Sequence, residues 1–362
     1  MEFALSNDQT MMQETVVRTL DRVCPLERVR QAAADKQAMA AEVWAALAET
    51  GVAGLIIPEE HGGVGLTLLD AALAAEALGR SVAPVPFVAS AVMAPLALMG
   101  AGSAAQQGEW LPRLASGEAI LGVGVAEAAA GARDGAGITA ANGKLSGKAL
   151  FVLDAGAAEG FILADRTGGL HLARKDAPGL ALTGLTSIDP TRSIAEVGLS
   201  ETPAEPLDAR PAGPVLRRMI DAGRLMLAAD ILGAGQRMIE KAVTYAGERR
   251  QFGRLIGSFQ AVKHLCAEMA AELEPCRSLV WYAGYAADED PARASLMAAH
   301  AKAHLSEVGT FVARTATEVH GGMGFTDLVG LHYWFKRIGF DRQMLGGPER
   351  VRADAAALQG WA

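Results

Sequence analysis

The run ERRQFGRLIGSFQAVKHLCAEM, from Glu248 to Met269, sets two guanidinium groups side by side at Arg249 and Arg250. Each guanidinium is a planar fork of donors, so an adjacent pair suits a diphosphate, which accepts parallel hydrogen bonds from such forks. The chain then turns through Gln251-Phe252-Gly253, and Ile256, Phe259, Val262, Leu265, Cys266 and Met269 recur at helical spacing. A plainer reading accounts for the same letters. It has a helix, a turn at Gly253 and a second helix capped by Ser258, with the charges solvated at the helix end. The arginine pair alone does not choose between an anion site and a solvated end.

The chain has 362 residues, is half apolar and carries a net charge of −8. That length accommodates two or three domains and a sizeable core. A negative chain is a poor general nucleic-acid binder, although a few local arginines can still hold an anionic ligand. Cys24, Cys266 and Cys276 form no CxxC pair, which indicates neither a disulfide framework nor a zinc site. The start MEFALSNDQT has no basic segment followed by an apolar run, and no apolar run reaches membrane-spanning length. A reducing cytoplasm is the expected setting.

Three regions follow from the periodicity, giving an α+β multidomain chain. Residues 1–118 read as an N-terminal α-helical domain. It has a helix capped at Ser6 or Asn7, a second carrying Val43, Leu47 and Val52, and a third over Asp70–Leu78. A turn and extended segment at Gly79–Phe87 precede helices near Ser90–Met99 and Ala104–Ala115. Residues 119–210 break into short segments bounded by Gly, Asn and Asp, with Asn142-Gly143 suited to a tight hairpin, and read as an antiparallel β barrel-like domain. Residues 211–362 return to long helices with short connections, interrupted by the glycine loop HGGMGFT, and favour a C-terminal four-helix bundle.

With PEEHGG at Pro58, the R-x-QFG-x-x-I-x-x-FQ pattern from Arg250 to Gln260 and VHGGMGFT from Val319 to Thr326 in this order, the chain resembles the acyl-CoA dehydrogenase family over nearly its whole length. The resemblance implies FAD, tetramers, an acyl-CoA thioester lying between the flavin and the bundle, and electron-transfer flavoprotein or a similar acceptor. It implies that Arg249 reaches the FAD diphosphate of a neighbouring subunit. Phe252 and Gln260 lie by the adenosine end of that cofactor, and Gly321 and Gly322 let the backbone approach it. His320 is expected to bond within its own subunit.

The chain departs from the family where the chemistry is done. Ala126 and Ala128 stand in VAEAAAGARD where the family carries a hydroxyl residue and a proline, and Phe151 and Leu153 replace a tryptophan and a second hydroxyl donor. Each lost flavin hydrogen bond is worth roughly 1 kcal/mol, which weakens binding without forbidding it. Glu318 takes the place of a glutamine near the diphosphate. The family's α-proton is removed by a glutamate at one of two positions, and here these are Leu345 and Gly223, the latter just before Arg224. Glu349 and Asp221 are the nearest carboxylates in sequence, Glu349 being the candidate base and Arg224 a supporting, substrate-side residue. The backbone N–H at Leu345 still matches the family's donor to the thioester oxygen. On these grounds either Leu345→Glu or Gly223→Glu would supply a carboxylate.

Two readings of function follow. One is an FAD-dependent acyl-CoA dehydrogenase, or a subunit of one, serving fatty acid or lipid catabolism. The other is a base-deficient scaffold that completes the FAD site of a partner subunit. GRSVAPVPF (Gly79–Phe87) and the compressed length resemble the branch that forms two-gene heterotetramers, often for sterol-like side chains. A third reading, another flavin chemistry such as a thioester-binding reductase or a nitroalkane-type oxidase, is weakest, because oxidation of either kind needs a base.

Overall fold

The computed structural model describes residues 4–361. Helix α1 (Asn7–Val23) begins at a reciprocal capping box between Ser6 and Gln9. It is followed by α2 (Leu26–Ala34), α3 (Ala41–Glu49) and α4 (Leu68–Ser81), the last started by a second capping box between Thr67 and Asp70. The expected second helix thus ends before Val52, which lies in a separate 3-10 turn over Val52–Gly54. A buried π-helical stretch, Phe87–Met93, leads into α5 (Ala94–Ala101), and α6 (Ala104–Ala115) starts at the Ser103 cap.

Eight strands form one mixed sheet, interrupted by a single short helix. They are β1 (Leu121–Gly124), then helix α7 (Ala126–Ala130), β2 (Gly137–Ala141), β3 (Lys144–Leu153), β4 (Gly160–Ala164), β5 (Leu170–Arg174), β6 (Leu180–Gly184), β7 (Ile194–Pro203) and β8 (Glu205–Leu207). Their order is β6-β7-β3-β1-β4-β5-β8, with β2 paired to β3. Asn142 and Gly143 both adopt positive φ between β2 and β3, the two-residue hairpin turn that their types favour. The fully antiparallel expectation needs one correction: β1 and β4 pair in parallel, Leu121 opposite Gly160. Two consecutive antiparallel strands, β2 and β3, separate them in sequence, so this is no Rossmann crossover.

The C-terminal helices are α8 (Ala212–Glu248), α9 (Gln260–Glu289) and α10 (Pro291–His320), followed by α11 (His332–Gln343) and α12 (Pro348–Leu358). At 37 residues α8 is about 55 Å long. It is buried along most of its length because α4, α9, α10 and α11 all pack on it. A Cβ at Gly233 of α8 would lie 1.8 Å from the carbonyl oxygen of Glu76 on α4, so the two backbones touch and no side chain fits between them.

Where the three regions meet, charges are fully buried. Arg337 of α11 donates to Asp189 at 2.7 Å, to Asp230 of α8 at 3.1 Å, to Thr191 at 2.6 Å and to the carbonyl of Ala83 at 3.1 Å. Arg192 pairs with the same Asp230. Asp341 is buried beside them, 3.9 Å from Arg192, and burial, with the nearby Asp230 adding to it, pushes its carboxyl well above the usual range.

Asp154, at the end of β3, accepts the N–H of Ala89 at 3.1 Å and so ties the sheet to the π-helical stretch. Burial raises its carboxyl to about 6 against the pull of Arg192 and Arg337. The folded chain therefore holds this proton more tightly than the unfolded one. Stability falls as pH rises from about 4 through about 6, and the full penalty persists above that. Asp154→Asn is expected to flatten this segment of the profile and to raise stability at pH 8 by roughly 1–3 kcal/mol relative to its effect at pH 4, read by denaturant unfolding at both pH values.

Candidate active site

A cavity of about 260 Å³ lies between the sheet and the end of α11. Its sheet wall is shaped by a bulge in β3. The register against β7 shifts between Ala149 and Val152, and Phe151 sits at φ 52°. An extra residue in one strand breaks the alternation of side chains. Leu150 and Phe151 consequently both face the cavity. Leu153 is buried opposite Val123 of β1 and does not line this cavity. Ala126 lines the cavity, as do Thr186, Ser187 and Gln343. These three supply polar groups on a wall that lacks the hydroxyl expected at position 126. The Arg133 guanidinium stands 4.8 Å over the Phe151 ring.

The two base positions occupy one place. Leu345, only 3% exposed, lines the cavity at φ 57°, a left-handed conformation that a branched residue rarely takes. A Cβ built on Gly223 would meet Leu345 Cδ1 at 2.5 Å and Met93 Sδ at 2.8 Å. The leucine thus fills the room that a residue at 223 would need, and the expectation that either position can be restored independently is corrected for Gly223.

The carboxylates nearest in sequence are elsewhere. Glu349 is exposed at the start of α12, 3.6 Å from Arg342, and does not line the cavity. The backbone N–H at that helix start, aided by Arg342, holds it below the usual carboxylate range. Asp221 bonds Ser295 of α10 and pairs with Arg217 at 3.3 Å. Arg224 is buried and directed at protein groups. Its Nε donates to Leu345 O at 3.0 Å, and its Nη2 to Ala129 O at 3.1 Å and to Asp354 at 2.7 Å. It braces the cavity wall from behind, a role the substrate-side expectation did not foresee.

Sequence reasoning passed over Glu127. It is a carboxylate on the cavity wall, and its Oε1 accepts the Leu150 N–H at 3.0 Å. Its signal was an acid among the alanines of VAEAAAG.

At the far end of α8 the chain makes a minimal hairpin, Arg250–Gln251 against Arg254–Leu255. Phe252 and Gly253 both take positive φ in its two-residue turn, and the Phe252 ring is 92% exposed. Among the described residues no carboxylate pairs with Arg249, Arg250 or Arg254. The Arg254 guanidinium lies 3.8 Å over Phe259. Ser258 is not the cap of α9. The cap residue is Phe259, and Ser258 Oγ donates to Leu255 O at 2.6 Å. Gln260 and Glu318 are exposed, as are Gly321 and Gly322 of the glycine loop, where an added Cβ would meet nothing within 4 Å. Phe325 beside them is 79% exposed. His320 is buried and bonds the Ala316 carbonyl at 2.7 Å.

Residues 6–118 match the acyl-CoA dehydrogenase N-terminal domain and residues 213–357 the acyl-CoA dehydrogenase C-terminal domain. The chain belongs to the acyl-CoA dehydrogenase family. It is 32% identical over 346 residues to the acyl-CoA dehydrogenase IpdE2 of Mycobacterium tuberculosis, covering 95% of each chain. It superposes on a chain of the ChsE4–ChsE5 complex from Mycobacterium tuberculosis with a TM-score of 0.90 and 27% identity over 100% of both. It shares the fold of the FAD complex of PigA, with a TM-score of 0.88 and 24% identity over 100% of both. The chain is therefore an acyl-CoA dehydrogenase or a subunit of one. No helix among the described residues is long and apolar enough to cross a membrane.

The interlock of Leu345 with Gly223 has a measurable result. Gly223→Ala is expected to destabilise the fold by roughly 1–3 kcal/mol through overpacking. Leu345→Ala should relieve most of that loss, so a double-mutant cycle of unfolding free energies should show strong coupling between the two sites.

Proposed function

We propose that this chain is a base-deficient subunit of an FAD-dependent acyl-CoA dehydrogenase assembly, one that completes the FAD site of a neighbouring subunit. The observation that carries the reading is the hydrocarbon contact at both base positions, Leu345 Cδ1 packed into the space at Gly223. Dehydrogenation needs a carboxylate within hydrogen-bond reach of the α carbon, and neither residue can accept a proton. FAD, when bound, takes the hydride from the β carbon. The chain's own residues bind and orient. Arg249, with Arg250 beside it, supplies unpaired guanidinium forks suited to the diphosphate, Phe252 offers an exposed aromatic face, and Gly321 and Gly322 leave open space for close approach.

Arg249 lies 25 residues along α8 from Arg224, about 37 Å away, so it cannot serve the cavity of its own chain. A cofactor held at Arg249 therefore belongs to a neighbouring subunit, which makes the assembly an oligomer, homo- or heterotetrameric as in the family. The cavity at Phe151 and Leu345 accommodates an acyl-CoA thioester, with the Leu345 N–H as the donor to its carbonyl oxygen.

Arg249→Ala is expected to lower flavin retention about 10- to 100-fold, since a charge-assisted contact is lost. The readout is the flavin absorbance per chain after gel filtration, and unchanged flavin content would return the arginines to a solvated helix end. The purified chain alone should reduce its flavin poorly with short, long or sterol-like acyl-CoA and an artificial acceptor. Leu345→Glu should raise that rate, general-base catalysis being worth roughly 100- to 10,000-fold. Brisk reduction by the unsubstituted chain would instead favour a second reading, in which Glu127, the carboxylate on the cavity wall, is the base. Glu127→Gln would then abolish it.

A further inference from the structure

The turn between α11 and α12 is held by two buried cations. Leu345 and Gly346 both have positive φ, 57° and 103°, and their carbonyls are taken in succession. Arg224 donates to Leu345 O at 3.0 Å, and Lys302 of α10 donates to Gly346 O at 3.2 Å. Lys302 also donates to Arg342 O at 2.9 Å and to Ser306 Oγ at 3.4 Å. An ammonium has three donors and no acceptor, and here three oxygens meet them.

The carbonyls of the turn are bonded, but its N–H groups are not all matched. Met344 N–H bonds Phe340 O at 3.1 Å, ending the helix. The N–H groups of Leu345 and Gly346, both buried, have no acceptor among the described residues, and of the two only Leu345 lines the cavity. Buried backbone N–H groups are nearly always paired, so an orphan donor on a cavity wall points to a ligand. Its direction depends on the peptide planes on either side. With the following two carbonyls fixed from behind, the strained Leu345 conformation has little freedom to turn its N–H inward.

We propose that Lys302, together with Arg224, is a positioning residue that aims the Leu345 N–H at the carbonyl oxygen of a thioester in the cavity. This rests on reading the cavity as an acyl-thioester site. Lysine is almost never fully buried, and Lys302 has no exposed surface. Burial brings its amine down to about 7, with Asp341 opposing that shift and Arg224 and Arg342 adding to it. A residue so costly to bury, bonded to one carbonyl in the last turn of α11 and one in the turn that follows, is explained by the geometry it imposes there.

Two probes separate this role from general support of the fold. One is octanoyl-CoA, and the other is S-octyl-CoA, a thioether of the same length that lacks the carbonyl. Binding of each is measured by calorimetry to the FAD-loaded assembly, unsubstituted and with Lys302→Met. The unsubstituted protein should prefer the thioester by about 10-fold, the scale of one hydrogen bond. Lys302→Met should reduce that preference to about 2-fold or less while thioether affinity stays nearly constant. Should Lys302→Met not fold, Lys302→Gln, which keeps two donors on a shorter stem, should show a partial loss of the same preference. An undiminished preference in the variant overturns the proposal, as does an equal loss for both probes, which would mark Lys302 as structural only. Equal affinity for both probes in the unsubstituted protein removes the Leu345 contact and the proposal with it. Binding of neither probe overturns the reading of the cavity itself.

Discussion

One buried cluster, centred on Arg337, holds the three parts of the chain in register. The guanidinium touches Ala83 from the N-terminal helices, Asp189 and Thr191 from the segment before β7, and Asp230 from α8. Arg192 joins at Asp230, and the Asp341 carboxyl beside them is raised well above the usual range by its burial. Removing one member of such a set leaves an unpaired charge out of reach of water, at a cost of roughly 3–5 kcal/mol. The cluster is therefore a poor place for gradual change. Because its bonds are directional, it admits one arrangement of sheet against helices, whereas apolar packing alone tolerates several.

The cavity depends on that arrangement. Its walls come from α7, from the bulge in β3 and from the end of α11, the helix that carries Arg337 and Asp341. Arg224 repeats the device on a smaller scale, linking the α7 carbonyl of Ala129, the Leu345 turn and Asp354 of α12. Charged side chains in this protein thus position main-chain carbonyls, while the surface that faces a ligand is mostly apolar.

Much of the fold was legible in the sequence because local chemistry announces it. Ser6 marks a helix start, Asn142-Gly143 marks a hairpin, and the change of period near Ala119 marks the sheet. What was not legible depends on distant partners. The π-helical stretch at Phe87–Met93 is fixed by burial, with Ser90 accepting the Leu121 N–H. The parallel pairing of β1 with β4 and the tiny hairpin around Phe252 follow from no periodicity. Leu345 and Gly223 could each be read as a missing base, yet their contact spans 122 positions and appears only in three dimensions. The bulge that brings both Leu150 and Phe151 to the cavity was invisible for the same reason, and Lys302 gave no sign because a lysine in a helix ordinarily faces water.

Helix α8 carries Arg224 toward the cavity, Asp230 toward the buried cluster and Glu248 toward the arginine hairpin. Each residue of an α-helix advances the chain by about 1.5 Å and turns it by about 100°. One inserted residue between Arg224 and Arg249 would therefore swing every later side chain onto a different face unless a local π-bulge absorbed it. The helix acts as a fixed gauge whose length is set by its content, in contrast to the exposed turn at Asn142-Gly143, where extra residues disturb only a loop. An insertion in α8 is accordingly far more disruptive than one in that turn.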